Sequence, residues 1–308
     1  MAAAARNVVR SPVRVALADL LSLRAAGESI RLGAPRIRAV AAGGHLSPYK
    51  GRGVEFDESR PYQDGDDLRT IDWRVTARTG KPYTKVFREE RNRPVFVWLD
   101  LRRPMLFATR GAFKGVRAAE TAALIAWSAI ANGDRLGGLV FTDGAHHEVR
   151  PALGFRAALR LFREIAAEPL WRPADRDSRA DADHALLRLT RVARPGSLIF
   201  LLSDFRALGA DADRHLRKLA QHCELFLVHF FDPVEAELPP PGRYRIQSGS
   251  RSFAIETSDQ AARARYHERF LERRAHLKAL ARSRGVHVME CATVDDPRAV
   301  LAKQFRNA

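Results

Sequence analysis

The stretch SLIFLLSDF, residues 197–205, is an almost uninterrupted apolar run that ends near an aspartate. Continuous runs of this kind are typical of strands that are buried on both faces of a parallel sheet. PVFVWLD (94–100) and CELFLVHFFD (223–232) have the same character and also end in aspartate. Helical patterns separate the three runs. The alternation predicts an α/β protein with a doubly wound, mostly parallel sheet and helices on both faces.

The rest of the chain extends this pattern and suggests two domains. RYRIQ and RSFAIET flank a Ser-Gly-Ser turn and predict an inserted β-hairpin near 242–257. A long charged helix over 258–284, a strand and a last helix complete the predicted domain, which covers 93–308. Residues 1–92 lose periodicity after a first amphipathic helix, so we expect them to form an N-terminal extension.

The bulk composition is that of a folded protein with a large excess of positive charge. The chain has 308 residues, 46% of them hydrophobic, and a net charge of +16 at pH 7. No run approaches the roughly 20 apolar residues of a membrane helix, and the N-terminus lacks the apolar core of a secretory signal. We therefore expect a soluble protein. Cys223 and Cys291 have no metal-binding spacing and are expected to be buried free thiols.

The positive charge raises the alternative of a nucleic-acid-binding protein. Arginines are spread along the chain without a long basic run or a zinc-finger pattern, which argues against specific recognition. In the helix at 258–284 the acidic Glu268 and Glu272 interrupt the basic residues, and this mixture predicts a solvated face. The basic residues of that helix are Arg263, Arg265, Arg269, Arg273, Arg274, Lys278 and Arg282.

An acidic island interrupts this basic chain at PYQDGDDLRTIDW, residues 61–73. Its glycine spacing does not fit a calcium-binding loop. The surrounding segment, 51–92, supplies arginines that predict an ion-pair network, and Asp66 or Asp67 is expected to cap a short helix that runs into LRTIDW. We interpret the island as a structural or docking element. The expected partners are Arg52, Arg60, Arg69, Arg74 and Arg78 with Asp57, Glu58, Asp64, Asp66, Asp67 and Asp72.

The same segment closely resembles the bacterial domain of unknown function 58 family. In that family a G-R-G-x-E-F-x-E-x-R-x-Y-x-x-G-D-D-x-R-x-I-D-W-x-x-T-A-R segment precedes a von Willebrand factor A-like domain, and the resemblance runs from about Leu46 to the C-terminus. It implies a von Willebrand factor A-like fold and a MoxR-type AAA+ ATPase as partner. Some members carry N-terminal membrane helices, which this sequence does not show, so the resemblance also implies a cytoplasmic location. The matching residues are Gly51, Arg52, Gly53, Glu55, Phe56, Arg60, Tyr62, Gly65, Asp66, Asp67, Arg69, Ile71, Asp72, Trp73, Thr76, Ala77 and Arg78.

The implied fold suggests a test for a metal-ion-dependent adhesion site, whose pattern is D-x-S-x-S after the first strand and an aspartate after the central strand. Asp100 and Asp204 stand at the two aspartate positions, but Arg102 and Pro104 replace the serines. A guanidinium has no acceptor for a cation. The sequence therefore predicts no bound metal, and an ion pair of Arg102 or Arg103 with Asp100 or Asp204 in its place.

These observations favour a non-enzymatic adaptor that works with the ATPase in protein assembly or maturation, without a cofactor. Its partner surface is expected at the carboxyl ends of the strands that contain Leu99, Leu202 and Phe231. A metal-dependent hydrolase that uses Asp100 and Asp204, with Asp232 as an optional third carboxylate, is the enzymatic alternative, although no P-loop or nucleophile-elbow motif occurs. The residues predicted for partner binding, or for a degenerate adhesion site, are Asp100, Arg102, Arg103, Ser203 and Asp204.

Overall fold

The computed structural model describes residues 11–32, 54–63, 68–89, 93–167, 171, 179–206, 210–248 and 251–306. Contacts divide these residues into a main unit, made of 11–32 and 93–306, and a small unit, 54–89.

The strands are β1 (Val54–Pro61), β2 (Tyr83–Glu89), β3 (Pro94–Asp100), β4 (Arg135–Phe141), β5 (His146–Ala152), β6 (Leu198–Ser203), β7 (Glu224–Phe231), β8 (Arg243–Ser248), β9 (Arg251–Glu256) and β10 (Val286–Ala292). The helices are α1 (Leu17–Ser22), α2 (Arg24–Glu28), α3 (Trp73–Thr79), α4 (Lys114–Ala131), α5 (Phe155–Ile165), α6 (Arg179–Val192), α7 (Ala210–Ala220), α8 (Pro233–Ala236), α9 (Gln260–Leu280) and α10 (Pro297–Arg306). Short 3-10 turns cover Leu68–Thr70 and Arg103–Met105.

The main unit is built on a 6-stranded sheet with the order β10-β7-β6-β3-β4-β5. Every neighbouring pair is parallel except β4 and β5, which form an antiparallel hairpin at one edge. The chain winds from β3 to one side and then returns through β6 to the other, so the order reverses between these two strands. The predicted doubly wound, mostly parallel sheet is confirmed, and its switch point lies between β3 and β6.

Successive residues of the central strands point to opposite faces of the sheet and pack into two separate hydrophobic cores. Leu99, Leu202 and Phe230 lie on the face that packs against α4, α5 and α10. Trp98 and Leu201 lie on the face covered by α6, α7 and α9. All five of these side chains are fully buried. Burial on both faces explains why β3, β6 and β7 have continuous apolar sequences instead of alternating ones.

The first helices belong to the main unit, and this differs from the predicted domain boundary at residue 92. The indole of Trp127 in α4 donates to the carbonyl oxygen of Leu20 at 3.0 Å, and the Ser128 hydroxyl donates to the carbonyl oxygen of Ile30. A Cβ at Gly27 would lie 2.5 Å from the Cβ of Trp127, so only glycine permits this approach of α2 to α4. Residues 11–32 therefore complete the core of the α/β fold.

The small unit contains the antiparallel pair β1–β2 and helix α3. Asp72 caps α3, because its carboxylate accepts from the backbone amides of Arg74 at 3.1 Å and Val75 at 3.2 Å. The Ser59 hydroxyl donates to the same carboxylate at 2.9 Å. The hydrogen bond from the Val75 amide is the main cause that lowers the pKa of Asp72.

This cap gives Asp72 a different role from the expected ion pair. In the described part of the small unit, the Asp72 carboxylate bonds to backbone amides and a serine instead of an arginine. The cap predicted for the short helix running into LRTIDW, where the structure has the 3-10 turn Leu68–Thr70, concerns Asp66 and Asp67. Those two residues, with Gly51, Arg52, Gly53 and Gly65, lie outside the described residues, as do the side chains of Glu55, Phe56, Asp57 and Glu58. Of the remaining signature residues, Trp73 is 70% exposed, and Arg69 and Arg78 are also exposed.

The last third of the main unit contains the predicted hairpin, β8 and β9, followed by α9. Phe253 and Ile255 on β9 are exposed. Cys223 and Cys291 are buried free thiols, as predicted, and burial raises the pKa of Cys291 to about 12. None of the helices in the described ranges is long and apolar enough to cross a membrane.

Candidate functional site at the switch point of the sheet

The carboxyl end of β3 holds a buried ion pair. Asp100 is the last residue of β3, and the chain turns there so that the backbone amide of Arg102 donates to Asp100 Oδ1 at 3.0 Å. The guanidinium also donates to both carboxylate oxygens, from Nε at 3.0 Å and from Nη2 at 2.7 Å. This is the ion pair that the sequence predicted. Burial by itself would lower the pKa of Arg102, but the Asp100 carboxylate outweighs that effect and raises it.

The carboxyl end of β6 adds a second carboxylate. The Ser203 hydroxyl donates to Asp100 Oδ2 at 2.7 Å and accepts from the backbone amide of Phe205 at 2.9 Å. Phe205 has a φ of 52°, a left-handed conformation that costs a non-glycine residue roughly 1–3 kcal/mol. This turn directs the Asp204 carboxylate into the protein, where it accepts from the backbone amide of Arg206 at 3.0 Å.

A lysine ammonium lies between two buried carboxylates next to this turn. Lys114 is the first residue of α4 and is fully buried. Its Nζ donates to Asp204 Oδ2 at 2.9 Å and to Glu235 Oε1 at 2.8 Å. Glu235 comes from α8, the short helix that follows β7. Three consecutive strands of the sheet thus lead into one network.

Arg206 completes the charge balance of this network. Its Nη2 lies 3.0 Å from Glu235 Oε1, and its Nε lies 3.7 Å from Asp204 Oδ2. Burial would raise the pKa of Asp204, but the charges of Lys114 and Arg206 overcome it and hold that pKa below its ordinary value. The carboxylates of Asp100, Asp204 and Glu235 are thereby matched by Arg102, Lys114 and Arg206. We call these six residues the paired cluster.

The chemistry open to the paired cluster is limited by its own pairing. A general base or nucleophile needs an accessible lone pair, whereas these carboxylates are buried and already accept hydrogen bonds from cations. A cation ligand set needs several converging uncharged or anionic donors, and the nearest groups here are an ammonium and guanidiniums. Within the described ranges, no three His, Cys, Asp or Glu side chains converge to form a metal site.

Two other predicted residues have structural roles near this edge. Asp232 follows β7, accepts from the hydroxyls of Thr109 at 2.6 Å and Thr293 at 2.8 Å, and caps α8. Its carboxylate bonds to these threonines and to the backbone of α8, and its backbone amide donates to Glu235 Oε2 at 3.2 Å, which connects Asp232 to the paired cluster. The backbone amide of Arg103 donates to Asp143 Oδ2 at 2.7 Å, while its side chain is exposed.

Helix α9 presents a second group of charged side chains beside the paired cluster. Tyr266, Arg269, Phe270 and Arg273 line a cavity of about 220 Å³ together with Arg206 and Glu235. We call these six residues the arginine pocket. Below it lies His229, which is fully buried and has no hydrogen-bond partner for either ring nitrogen in the described structure. Burial lowers the pKa of His229 to about 4.

The expected solvated face of α9 holds only in part. Arg265, Arg269, Lys278 and Arg282 are exposed, whereas Arg263, Arg273 and Arg274 are partly buried. Arg263 donates to the carbonyl oxygen of Leu238 at 3.0 Å, and Arg274 forms an ion pair with Glu290. The basic residues of this helix are therefore used to attach it to the domain as well as to face solvent.

The sequence predicted part of this site and left part of it unpredicted. Asp100, Arg102, Ser203 and Asp204 come together as expected. Lys114 and Glu235 were not predicted, because they are 90 and 121 positions from their partners and carry no local motif. A usable signal existed for the pocket, since Tyr266, Arg269, Phe270 and Arg273 are spaced i, i+3, i+4 and i+7 and so share one helix face.

Comparison with known proteins gives one family and several similar folds. The family model "Protein of unknown function DUF58" matches residues 58–276. "Uncharacterized protein Rv1480" of Mycobacterium tuberculosis strain ATCC 25618 / H37Rv is 32% identical over 236 residues, which cover 74% of this chain and 73% of that protein. "Uncharacterized protein Mb1516" of Mycobacterium bovis strain ATCC BAA-935 / AF2122/97 matches with the same identity and coverage.

Solved structures with a similar arrangement include "conserved hypothetical protein BatB" from Bacteroides thetaiotaomicron. It is 14% identical, has a TM-score of 0.43 and covers 70% of this chain and 98% of that chain. A "von Willebrand factor type A" structure from Catenulispora acidiphila is 15% identical, has a TM-score of 0.38 and covers 73% of this chain and 43% of that chain. The strand order with one antiparallel edge hairpin is that of a von Willebrand factor A-like fold.

Proposed function

This chain belongs to the DUF58 family of proteins of unknown function, and we propose that it is a non-enzymatic interaction protein of the cytoplasm. In this proposal it works with a MoxR-type AAA+ ATPase in the assembly or maturation of other proteins. Its partner surface is the carboxyl edge of β3, β6 and β7.

The paired cluster is the observation that carries the interaction role. It occupies the switch point, where open α/β sheets bind their ligands. Lys114 and the two arginines neutralise the carboxylates there, which gives the edge a fixed, buried charge pattern. A rigid edge of this kind supports recognition, since an interface needs preorganised groups more than reactive ones.

The nature of the partner is taken from the family resemblance of residues 51–92. The small unit adds one physical feature, an aromatic side chain that is largely in solvent: Trp73 is 70% exposed and Leu68 is 65% exposed. Tryptophan is enriched among the residues that dominate binding energy at protein interfaces. We assign Trp73 to a contact with the ATPase.

The hydrolase alternative has less support, because the carboxylates of Asp100 and Asp204 are buried and already paired with cations of the chain itself. The nucleic-acid alternative also has less support, since Arg263 and Arg274 bind groups of the chain itself. The exposed basic residues still give a nonspecific attraction to polyanions that weakens with salt.

The test is affinity purification of the tagged full chain from its own cell extract, with ATP and magnesium present. We expect an AAA+ ATPase to be recovered, and the Trp73→Ala variant to recover several-fold less of it. The matched control is Leu153→Ala, which removes a 50% exposed apolar side chain from the main unit and should recover as much as wild type. Recovery of no AAA+ ATPase by wild type, at physiological salt, would refute the proposal.

A further inference from the structure

Two guanidinium groups of the arginine pocket lack the ion pairs that the cations of the paired cluster form. Within the described ranges, Arg269 and Arg273 have neither a hydrogen bond nor an ion pair, although Arg273 is partly buried and faces the same cavity as Arg206. Burial and the nearby Arg206 charge lower the pKa of Arg273. An unpaired, partly desolvated guanidinium next to another one is unfavourable for folding. A ligand that pairs with the Arg273 guanidinium offsets this cost and explains why an arginine is present at this position.

The negative groups beside the pocket are already satisfied. Glu235 and Asp204 each accept from Lys114, and Glu235 also pairs with Arg206. The Tyr266 hydroxyl interacts with Arg206, whose guanidinium can only donate, so the phenolic proton is available to a ligand. The cavity is therefore lined by two guanidiniums that have no partner among the described residues, by one O–H donor and by the aromatic ring of Phe270.

We propose that the arginine pocket binds the carboxylate of a glutamate side chain presented by a partner protein. The inference rests on the proposed interaction role and gives the chemistry of the recognised group. Guanidiniums bind carboxylates with two parallel hydrogen bonds, and the Phe270 ring packs against the methylene groups that precede a glutamate carboxylate. The cavity of about 220 Å³ accommodates a side chain of that length.

The lining favours a carboxylate over a phosphate group. Glu235 lies in the wall, and its negative charge repels a doubly charged phosphate more than a singly charged carboxylate. A phosphate ion also has no apolar part to pack against Phe270. The pocket thus matches an acidic group on a short aliphatic stem.

The first experiment measures fluorescence anisotropy of a labelled Glu-rich Gly-Ser peptide with the full chain in about 0.15 M salt, which screens long-range attraction. A matched Gln peptide and a matched phosphoserine peptide serve as probes of the ligand chemistry. We expect the Glu peptide to bind about 10-fold more tightly than the Gln peptide, and Arg273→Met to lose about that factor. Arg265→Met removes the same charge from an exposed position of α9 outside the pocket and should bind like wild type.

Several outcomes would overturn the assignment. Equal losses in Arg273→Met and Arg265→Met would mean that net charge attracts the peptide. Binding of the phosphoserine peptide without the Glu peptide would make the pocket a phosphate site, and binding of neither would refute an acidic ligand.

Thermal melting is the second readout, because it separates a ligand-binding arginine from a structural one. Arg273→Met should raise the melting temperature by about 2 °C or more, since an unpaired charge is removed. A decrease would show that Arg273 stabilises the fold and would contradict the inference. If Arg273→Met captures as much AAA+ ATPase as wild type does, the pocket is not part of the ATPase interface. The proposed function would still stand in that case.

Discussion

The paired cluster and the arginine pocket lie at the same edge of the sheet and share Arg206 and Glu235, but they differ in whether their cations are paired with carboxylates of the same chain. In the paired cluster every carboxylate meets a cation of the same chain, and Lys114 is fully buried. In the pocket, Arg269 and Arg273 have no partner among the described residues. The contrast teaches that arginine content alone does not define a binding surface. In our proposal, the binding surface is defined by arginines that line a cavity and have no partner in the described structure.

The largest expected effect is in the paired cluster. Lys114→Met leaves Asp204 and Glu235 buried next to each other without the ammonium between them, and we expect unfolding free energy to fall by about 3–5 kcal/mol. The measurement is urea denaturation at pH 7. Lys278→Met, at an exposed position of α9, should change stability by less than about 0.5 kcal/mol.

Acidification should reduce the loss caused by Lys114→Met. Burial opposes the charged form of Asp204, and the Lys114 charge is the largest influence that offsets it, so we expect loss of the ammonium to raise the pKa of Asp204 in the folded variant above that of the unfolded chain. Stability of the variant then increases as pH falls towards the range in which Asp204 takes up a proton. A loss that is the same at pH 7 and pH 5 would contradict an electrostatic role for Lys114.

The next effect concerns His229, which lies between the two regions. Its pKa of about 4 in the folded protein is below the ordinary 6.5, so the unfolded chain binds a proton first and stability falls as pH drops through that interval. Between pH 7 and pH 5 we expect wild type to lose about 2 kcal/mol more than His229→Leu, measured by urea denaturation. Parallel pH profiles would show that His229 is protonated in the folded state. The charged groups around the ring are Asp204, Arg273, Glu290 and Lys114.

A smaller effect tests the geometry of the Asp100 pair. Arg102→Lys keeps the charge but cannot form two parallel hydrogen bonds with the carboxylate, so we expect a loss of about 1.5 kcal/mol in urea denaturation. Arg103→Lys, at the neighbouring exposed side chain, is the matched control and should be nearly neutral. Equal effects of the two variants would mean that the turn after β3 needs only a positive charge, and not the two parallel hydrogen bonds from the Arg102 guanidinium.

The smallest effect compares adjacent arginines of α9. Arg274 pairs with Glu290 at a partly exposed position, and Arg274→Met should lower stability by less than about 1 kcal/mol. Arg273→Met should change the melting temperature in the opposite direction. Thermal melting of both variants under one condition provides the comparison, and shifts of the same sign would remove the distinction between paired and unpaired arginines.

Local sequence signals predicted the parts of the site that depend on local structure. Arg102 lies two residues after Asp100, and burial of that strand end makes the ion pair necessary. Lys114 and Glu235 reach Asp204 only because the strand order brings α4 and α8 to one place, which no short pattern encodes. The spacing of Arg269 and Arg273 was visible, but helical periodicity does not tell which face of a charged helix meets the sheet.

The domain boundary shows the same limit. Continuous apolar runs predicted the sheet well, because burial on both faces leaves a direct mark on composition. The position of α1 and α2 depends on contacts with α4, which lies about a hundred positions further along the sequence. The unpatterned stretch after α2 suggested a domain boundary, but α1 and α2 pack into the core of the main unit. Gly27 was the only local sign, since a glycine inside a helix often marks a close approach.

The hydrogen bond from Arg93 Nη2 to the carbonyl oxygen of Leu32, 2.9 Å long, has a consequence for how the family can diversify. These residues border the part of the chain that contains the small unit, so the described ends of the main unit on either side of that part lie next to each other. Insertions with adjacent ends are tolerated because the core of the host domain stays intact. We therefore expect that the segment between Leu32 and Arg93 can be exchanged among relatives while the main unit keeps its fold.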